Sequence, residues 1–276
     1  MQIAQALQQA QQQLSHYETA KLDTEVILSH CIGCNRTHLY AYPEEKLSAS
    51  CYEEFLGYIQ LRKDGHPVAH LVGYREFWSL EFKVTKDTLI PRPETECLVE
   101  QALTKISSTE AIHILDLGTG TGAIAIALAT ERPLAIITAT DITEAVLAIA
   151  KENAESHQAE INFIQADWLN FSENKHYNII VSNPPYIDRF DPCLAQGDVR
   201  FEPESALIAK NNGLADLNNI IALAKNFLVK NGWLILEHGF QQGQAVRAFF
   251  QHNHYQQIKT FSDYAGHERI TLGQNP

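Results

Sequence analysis

The four residues Asn183-Pro184-Pro185-Tyr186 directly follow an apolar run, Tyr177 to Ser182, and their types say the most about chemistry. An amide-like nitrogen is a poor nucleophile because its lone pair is delocalised into the π system. No side chain working near neutral pH strips its proton outright. A protein can instead accept both N–H bonds and hold the nitrogen in line with an electrophile. The Asn183 side-chain carbonyl and the Pro184 backbone carbonyl make such a pair of acceptors, and consecutive prolines hold φ and stiffen the frame. Tyr186 adds a face on which a planar amide or a base can lie. Asn183, Pro184 and Tyr186 are therefore the candidate catalytic residues, with Pro185 completing the grip on a substrate. Asn-Pro alone often marks only a turn.

A second segment, Asp116-Leu117-Gly118-Thr119-Gly120-Thr121-Gly122, follows an apolar run and opens a helical pattern. Glycines there let backbone approach a ligand closely and free N–H groups at a helix start. Asp141 closes the next apolar run, where a carboxylate can accept from both ribose hydroxyls of a nucleoside. Gly118, Gly120 and Ala123 also satisfy the dinucleotide spacing, so the pattern indicates a nucleoside without choosing the cofactor. Asp167-Trp168, ending a third run, offers an acceptor for an exocyclic amine beside a flat apolar surface. Alone, that pair reads equally as a turn aspartate beside a core tryptophan.

Other signals carry less. Cys31-Ile32-Gly33-Cys34 with His30 and His38 nearby hints at zinc, but a single CxxC without a second spaced pair reads better as two helical thiols. No metal site is expected. His238 follows Glu237 near the expected site and receives no role; Arg92 and Glu94 receive no chemical step.

Positioning these groups requires a particular set of elements. Residues 1–73 carry apolar stripes at helical spacing (Ile3, Leu7, Ala10, Leu14; Tyr52, Phe55, Leu56, Ile59) and read as a small helical bundle. Glu76 to Val84 alternates like a strand or hairpin, and residues 74–92 form the linker in which the domain boundary is placed. Pro93 with Glu94 and Glu96 is a good helix opening. From Ile112 onward strands and helices alternate: strands at Ile112–Leu117, Ala135–Thr140, Ile161–Ala166, Tyr177–Ser182 and Trp233–Leu236, with helices at Gly122–Ala129, Thr143–Ser156 and Leu214–Val229. That alternation predicts an α/β fold, a mostly parallel sheet with helices on both faces and ligands beyond the carboxyl ends of its strands. Asp188 to Asn212 lacks periodicity and has the length of a lid or binding loop.

The 276 residues suit a catalytic domain with a small extra one. Hydrophobic residues at 45% and charged residues at 20% are those of a soluble globular protein, and no apolar run approaches the roughly 20 residues of a membrane span. The Gln-rich start lacks the features of a signal peptide, and five cysteines suit a reduced cytoplasm. A net charge of −12 without a dense Lys/Arg cluster argues against nucleic acid and for a partner that carries basic patches.

Taken together, Ile90-Pro91-Arg92-Pro93-Glu94-Thr95-Glu96, the Asp116 to Ala129 segment, Asn183 to Ile187, Phe201 to Leu207, Glu237-His238-Gly239 and Asp263 to Thr271 resemble the class I S-adenosylmethionine-dependent methyltransferases. Within these, they are similar to the protein-glutamine N5-methyltransferases that modify peptide chain release factors, and the resemblance spans nearly the whole chain. It implies a Rossmann-like methyltransferase domain at 93–276, behind a hairpin linker and a helical domain that docks the release factor. It also implies a target glutamine in a Gly-Gly-Gln loop. Gly118, Thr119, Gly120, Thr121, Gly122, Asp141 and Trp168 would contact S-adenosylmethionine, with Asp167 beside the adenine. Asn183 would bridge cofactor and substrate, and S-adenosylhomocysteine would be the product. A sulfonium methyl carries its own leaving group, so no metal is required. Asn-Pro-Pro-Tyr is shared with DNA adenine methyltransferases, which keeps a nucleic-acid adenine amino-methyltransferase as the alternative. That reading needs a basic channel for a flipped base. A nucleotide-sensing binding protein without turnover is the third possibility, opposed by the intact Asn183 and Tyr186.

Overall fold

A computed structural model describes residues 1–172 and 175–276. The apolar stripes of the first part give α1 (Ile3–Gln13), α2 (Ala20–Ile32), α3 (Arg36–Ala41), α4 (Ala49–Lys63) and α5 (Val68–Val72). Their inward faces share one core of Ile3, Leu14, Ile27, Leu28, Phe55 and Ile59. Side-chain caps start two of them: Asn35 accepts from the His38 N–H, and Ser48 from the Cys51 N–H. Gly33 ends α2 in the left-handed conformation at φ 73°. The Cys31–Cys34 segment is thus a helix terminus with free thiols. Burial pushes the Cys31 thiol up to about 12.

This helical unit comprises Met1–Tyr74 together with Ala195–Phe201. Arg62, 5% exposed, ties the two pieces, bonding Asp23 on α2 and Asp198 at 2.7 Å each.

The second unit comprises Arg75–Leu194 and Glu202–Pro276. A hairpin, β1 (Tyr74–Phe77) and β2 (Leu80–Lys83), turns at Trp78 and Ser79, both at positive φ. Such φ values suit a two-residue turn that follows strand twist. They are tolerated here because the Trp78 and Ser79 N–H groups donate to Glu96 and Glu76.

After α6 (Glu96–Leu103), strands and helices alternate: β3 (His113–Leu117), α7 (Ala123–Glu131), β4 (Ile136–Asp141), α8 (Glu144–Ser156), β5 (Ile161–Gln165) and β6 (Tyr177–Ser182). Two short helical turns, α9 (Glu204–Leu207) and α10 (Lys210–Gly213), precede α11 (Ala215–Ala224), β7 (Leu228–Glu237), α12 (Gly243–His252), β8 (Gln256–Ser262) and β9 (Glu268–Gln274). The described residues form a seven-stranded sheet in the order β5-β4-β3-β6-β7-β9-β8. The pairs from β5 to β7 are parallel, and β9 runs antiparallel to both β7 and β8.

Both faces are buried. Ile114, Ile137, Ile179 and Ile235 pack against α6 and α7, while Leu115, Ile180, Leu234 and Leu236 pack against α11 and α12. A parallel sheet covered on both sides reads as near-continuous apolar runs.

Two expectations change. The helix expected to run to Val229 stops at Ala224, because Leu228 is claimed by β7 and pairs with Tyr177. The segment from Asp188 to Asn212 is not a bare loop. It contains short 3-10 turns at Pro192–Ala195 and Gly197–Phe201, then α9, and Ile187 bridges to Ile208.

Candidate active site

Parallel register places the chemistry. Thr140 on β4 pairs with Leu117 on β3, Leu117 with Ser182 on β6, and Ser182 with Leu236 on β7. One residue further along these four neighbouring strands stand Asp141, Gly118, Asn183 and Glu237. Four sequence-distant groups therefore leave the sheet on one line. The chain winds outward from β3 through β4 to β5, then returns to β6 on the other side of β3. The line crosses this reversal of strand order, where open α/β sheets bind ligands.

The glycine turn is built for close approach. Gly118, Gly120 and Gly122 have φ of 73°, 57° and 83°. The Gly118 and Thr119 N–H groups donate to the Thr140 carbonyl at 2.9 and 2.8 Å, locking the turn to β4. A Cβ on Gly118 would lie 3.1 Å from the Trp168 ring, so the tryptophan stands over the turn. Gly122 precedes α7, where a Cβ would press on Ile126 at 3.0 Å. Asp141 accepts from the Gly120 N–H at 3.0 Å, and burial raises its carboxyl pKa.

Asp116 is fully buried under the turn. Its Oδ2 accepts from the Thr119 hydroxyl at 2.6 Å, while Oδ1 has no partner at ordinary hydrogen-bond geometry. Burial pushes this carboxyl up to about 7.

These residues open onto a cavity of about 380 Å³, within the range of small-ligand pockets. Gly118, Thr119, Gly120, Thr121, Asp141, Trp168, Asn183 and Pro185 line it. Gly122, Asp167, Pro184 and Tyr186 do not. Asp167 caps a 3-10 turn, accepting from the Leu169 N–H at 3.0 Å. Tyr186 turns its hydroxyl inward to Glu237 at 3.1 Å, and burial raises the phenol pKa.

Two residues to which the sequence assigned no role, Thr95 and Glu237, are joined to Asn183 by hydrogen bonds. The Asn183 Nδ2 donates to the Thr95 hydroxyl at 3.1 Å, and that hydroxyl donates to Glu237 at 2.6 Å. Glu237 is 1% exposed, and burial raises its carboxyl pKa against the pull of its Thr95 and Tyr186 partners. A polar residue ending an apolar strand was the available signal for Glu237. Nothing local marked Thr95.

Arg92 also gains a partner. It reaches Glu202, whose other oxygen accepts from the Ile90 N–H at 3.0 Å. The pair holds Pro91–Arg92 against the Pro203–Ala206 segment, and both stretches line the cavity. His238 is fully buried between Thr271 at 2.8 Å and the Gly239 carbonyl at 3.0 Å, and burial lowers its pKa. A neutral, satisfied imidazole of this kind packs rather than reacts. Among the described residues no group of three or more His, Cys, Asp or Glu is placed to hold a metal ion, and no helix is long and apolar enough to cross a membrane.

An open α/β sheet with a glycine turn at its switch point, an acid ending the next strand and Asn-Pro-Pro-Tyr ending β6 defines a Rossmann-like methyltransferase of class I. Comparisons agree. Residues 94–194 match the family described as Methyltransferase small domain, and residues 5–73 match PrmC N-terminal domain. A solved methyltransferase from Pyrococcus furiosus, 14% identical, shares the fold with a TM-score of 0.54 over 83% of this chain and 99% of that one.

Relatives are much nearer in sequence. A release factor glutamine methyltransferase of Salmonella typhimurium is 47% identical over 270 residues, covering 97% of each chain. One of Shewanella oneidensis is 48% identical over 274 residues, covering 99% of this chain and 96% of that one. The chain belongs to the release factor glutamine methyltransferase family.

Proposed function

We propose that the chain transfers a methyl group from S-adenosylmethionine to the side-chain amide nitrogen of a glutamine in a peptide chain release factor, at the Gly-Gly-Gln sequence the family resemblance implies. One observation carries the reading. A chain nearly half identical, end to end, to enzymes named for this reaction sets an Asn183 with an available carbonyl one strand away from a glycine turn.

The residues present fit the cofactor. The left-handed glycines leave their positions in the turn without side chains so that a ligand can lie close to the backbone, Asp141 presents a carboxylate to the cavity, and Trp168 gives a flat wall. Gly118 to Gly122 would let the nucleoside lie close against the backbone, Asp141 would accept from its ribose hydroxyls, and Trp168 would face its adenine, with Asp167 set off the cavity where it caps its own turn. When bound, S-adenosylmethionine supplies a methyl group activated by its sulfonium.

The protein's own contribution is positional. Asn183 Oδ1 and the Pro184 carbonyl accept the two amide hydrogens of the glutamine and orient its nitrogen. Pro184 and Pro185, both buried, keep these acceptors from relaxing. Positioning of this kind lowers a barrier by about 7 kcal/mol or more. Tyr186 backs the amide, and residues of Pro91–Arg92 and Pro203–Ala206 form walls of the cavity. Residues 1–73 form the docking domain, 74–92 the linker and 93–276 the transferase domain. The charge of −12 suits a partner with basic patches, met in the cytoplasm where translation ends.

Mass spectrometry of a release factor incubated with the protein and S-adenosylmethionine tests this. One methyl on the glutamine of the Gly-Gly-Gln peptide is expected. An unmodified peptide, or label appearing on DNA adenine instead, overturns it.

A further inference from the structure

Asn183, Thr95, Glu237 and Tyr186 form one continuous chain of hydrogen bonds, at 3.1, 2.6 and 3.1 Å in that order. We propose that Thr95 and Glu237 are positioning residues that dictate which end of the Asn183 amide faces the reacting group. This rests on the reading above, in which Asn183 accepts from a substrate N–H.

The two ends of an asparagine amide have nearly the same shape but opposite chemistry. Turned over, Asn183 would present its own N–H groups to those of the glutamine, and nothing would hold the nucleophile. Something must therefore select the orientation.

Both Glu237 oxygens are hydrogen-bond acceptors here, Oε2 from the Thr95 hydroxyl and Oε1 from the Tyr186 hydroxyl. Thr95 has a single hydroxyl hydrogen and commits it to Glu237 Oε2. Its oxygen is then left with lone pairs, which can meet only a donor from Asn183. The Nδ2 end is drawn to Thr95, and Oδ1 becomes the end presented to a substrate. An inverted Asn183 would bring two acceptor oxygens together. Polarity thus passes from a buried acceptor, through one hydroxyl, to the group that grips the glutamine.

The same carboxylate sets the far end of the segment. Its Oε1 takes the Tyr186 hydroxyl, while the Tyr186 backbone carbonyl accepts from Gln242 Nε2 at 2.9 Å. Both ends of Asn183–Tyr186 are consequently referred to one rigid point on β7. Water does not loosen it, since Glu237 is 1% and Thr95 5% exposed.

The experiment compares Thr95→Val, Thr95→Ser and Glu237→Gln in the full chain, assaying methyl transfer from labelled S-adenosylmethionine to a purified release factor. Cofactor binding is measured by calorimetry. Valine keeps the shape of threonine but can neither donate nor accept. It should lower kcat about tenfold to a hundredfold while the cofactor Kd stays within about threefold. Serine should recover most of the lost rate. Glu237→Gln should also lower kcat, because its amide can donate to Thr95 and release Asn183 to turn over. Should Thr95→Val not fold, Thr95→Ala, which only removes atoms, takes its place.

Variants that bind cofactor and turn over within about twofold of the wild type overturn the proposal. So does a Thr95→Ser as slow as Thr95→Val, since the hydroxyl would then not be the reason. A purely structural role would weaken cofactor binding and thermal stability along with kcat, and that result is also fatal. If the wild type itself leaves the release factor unlabelled, the preceding reading fails and this one with it.

Discussion

If Asn183 acts through one oxygen atom, as proposed, its replacement should separate binding from chemistry. Asn183→Ala is expected to lose methyl transfer by orders of magnitude while cofactor affinity changes far less, because the carbonyl is needed mainly by the reacting amide. Binding calorimetry beside a turnover assay checks this; parallel losses would refute the division of labour. Asp116 gives a different prediction. Its folded carboxyl titrates at about 7, against about 4 in an unfolded chain. The unfolded state therefore releases this proton first as pH rises. The stability it contributes is complete below about pH 4 and is lost as pH climbs to about 7, up to about 4 kcal/mol. Asp116→Asn should remove that slope, so its advantage over the wild type in urea melts of the ligand-free protein should be larger at pH 7.5 than at pH 5. An advantage independent of pH would rule the buried charge out as the cause.

Elements bring distant segments to the cavity by small, specific ties. Glu202 has a fully buried side chain and depends on Arg92 and the Ile90 N–H. Removing one partner of a buried ion pair costs about 3 kcal/mol, because the remaining charge stays buried and unpaired. Arg92→Ala should therefore loosen the wall around α9 and speed limited tryptic cleavage after Arg200 and Lys210. Unchanged cleavage kinetics would contradict the tie. This is also the scale at which reading the chain by pattern falls short. The run from Leu214 to Val229 is apolar enough for either period, and only pairing with Tyr177 turns its last residues into strand. Of the last three elements, α12, β8 and β9, strand β8 escapes the pattern because it is an edge strand with no fully buried position. Their folding is decided by β7, which offers β9 a free edge.

At the scale of the whole molecule, charge and connectivity dominate. A chain at −12 can gain little from releasing counterions, so no retardation of duplex DNA is expected even at about 50 mM salt, where such binding is strongest. A salt-sensitive shift would revive the adenine reading. The helical unit is not contiguous in sequence: it recruits Ala195–Phe201 through Arg62, which satisfies Asp23 and Asp198 together. No local feature of either segment foretells a partnership between residues 136 positions apart.

What the amino acids determined unaided was local. Glycines at 118, 120 and 122 permit positive φ, Pro184 and Pro185 restrict their own backbone, and apolar periodicity separates helix from strand. These follow from sterics within a few residues, so the fold class, the glycine turn and the stiff Asn-Pro-Pro-Tyr segment could be read directly. Register was not local. That Asp141, Gly118, Asn183 and Glu237 end on one line depends on how four strands align, and that Thr95 lies against Asn183 depends on where α6 packs. Packing completed the work, since the Glu237 oxygens meet the Thr95 and Tyr186 hydroxyls only when the strands and helices that carry them come together in the folded core.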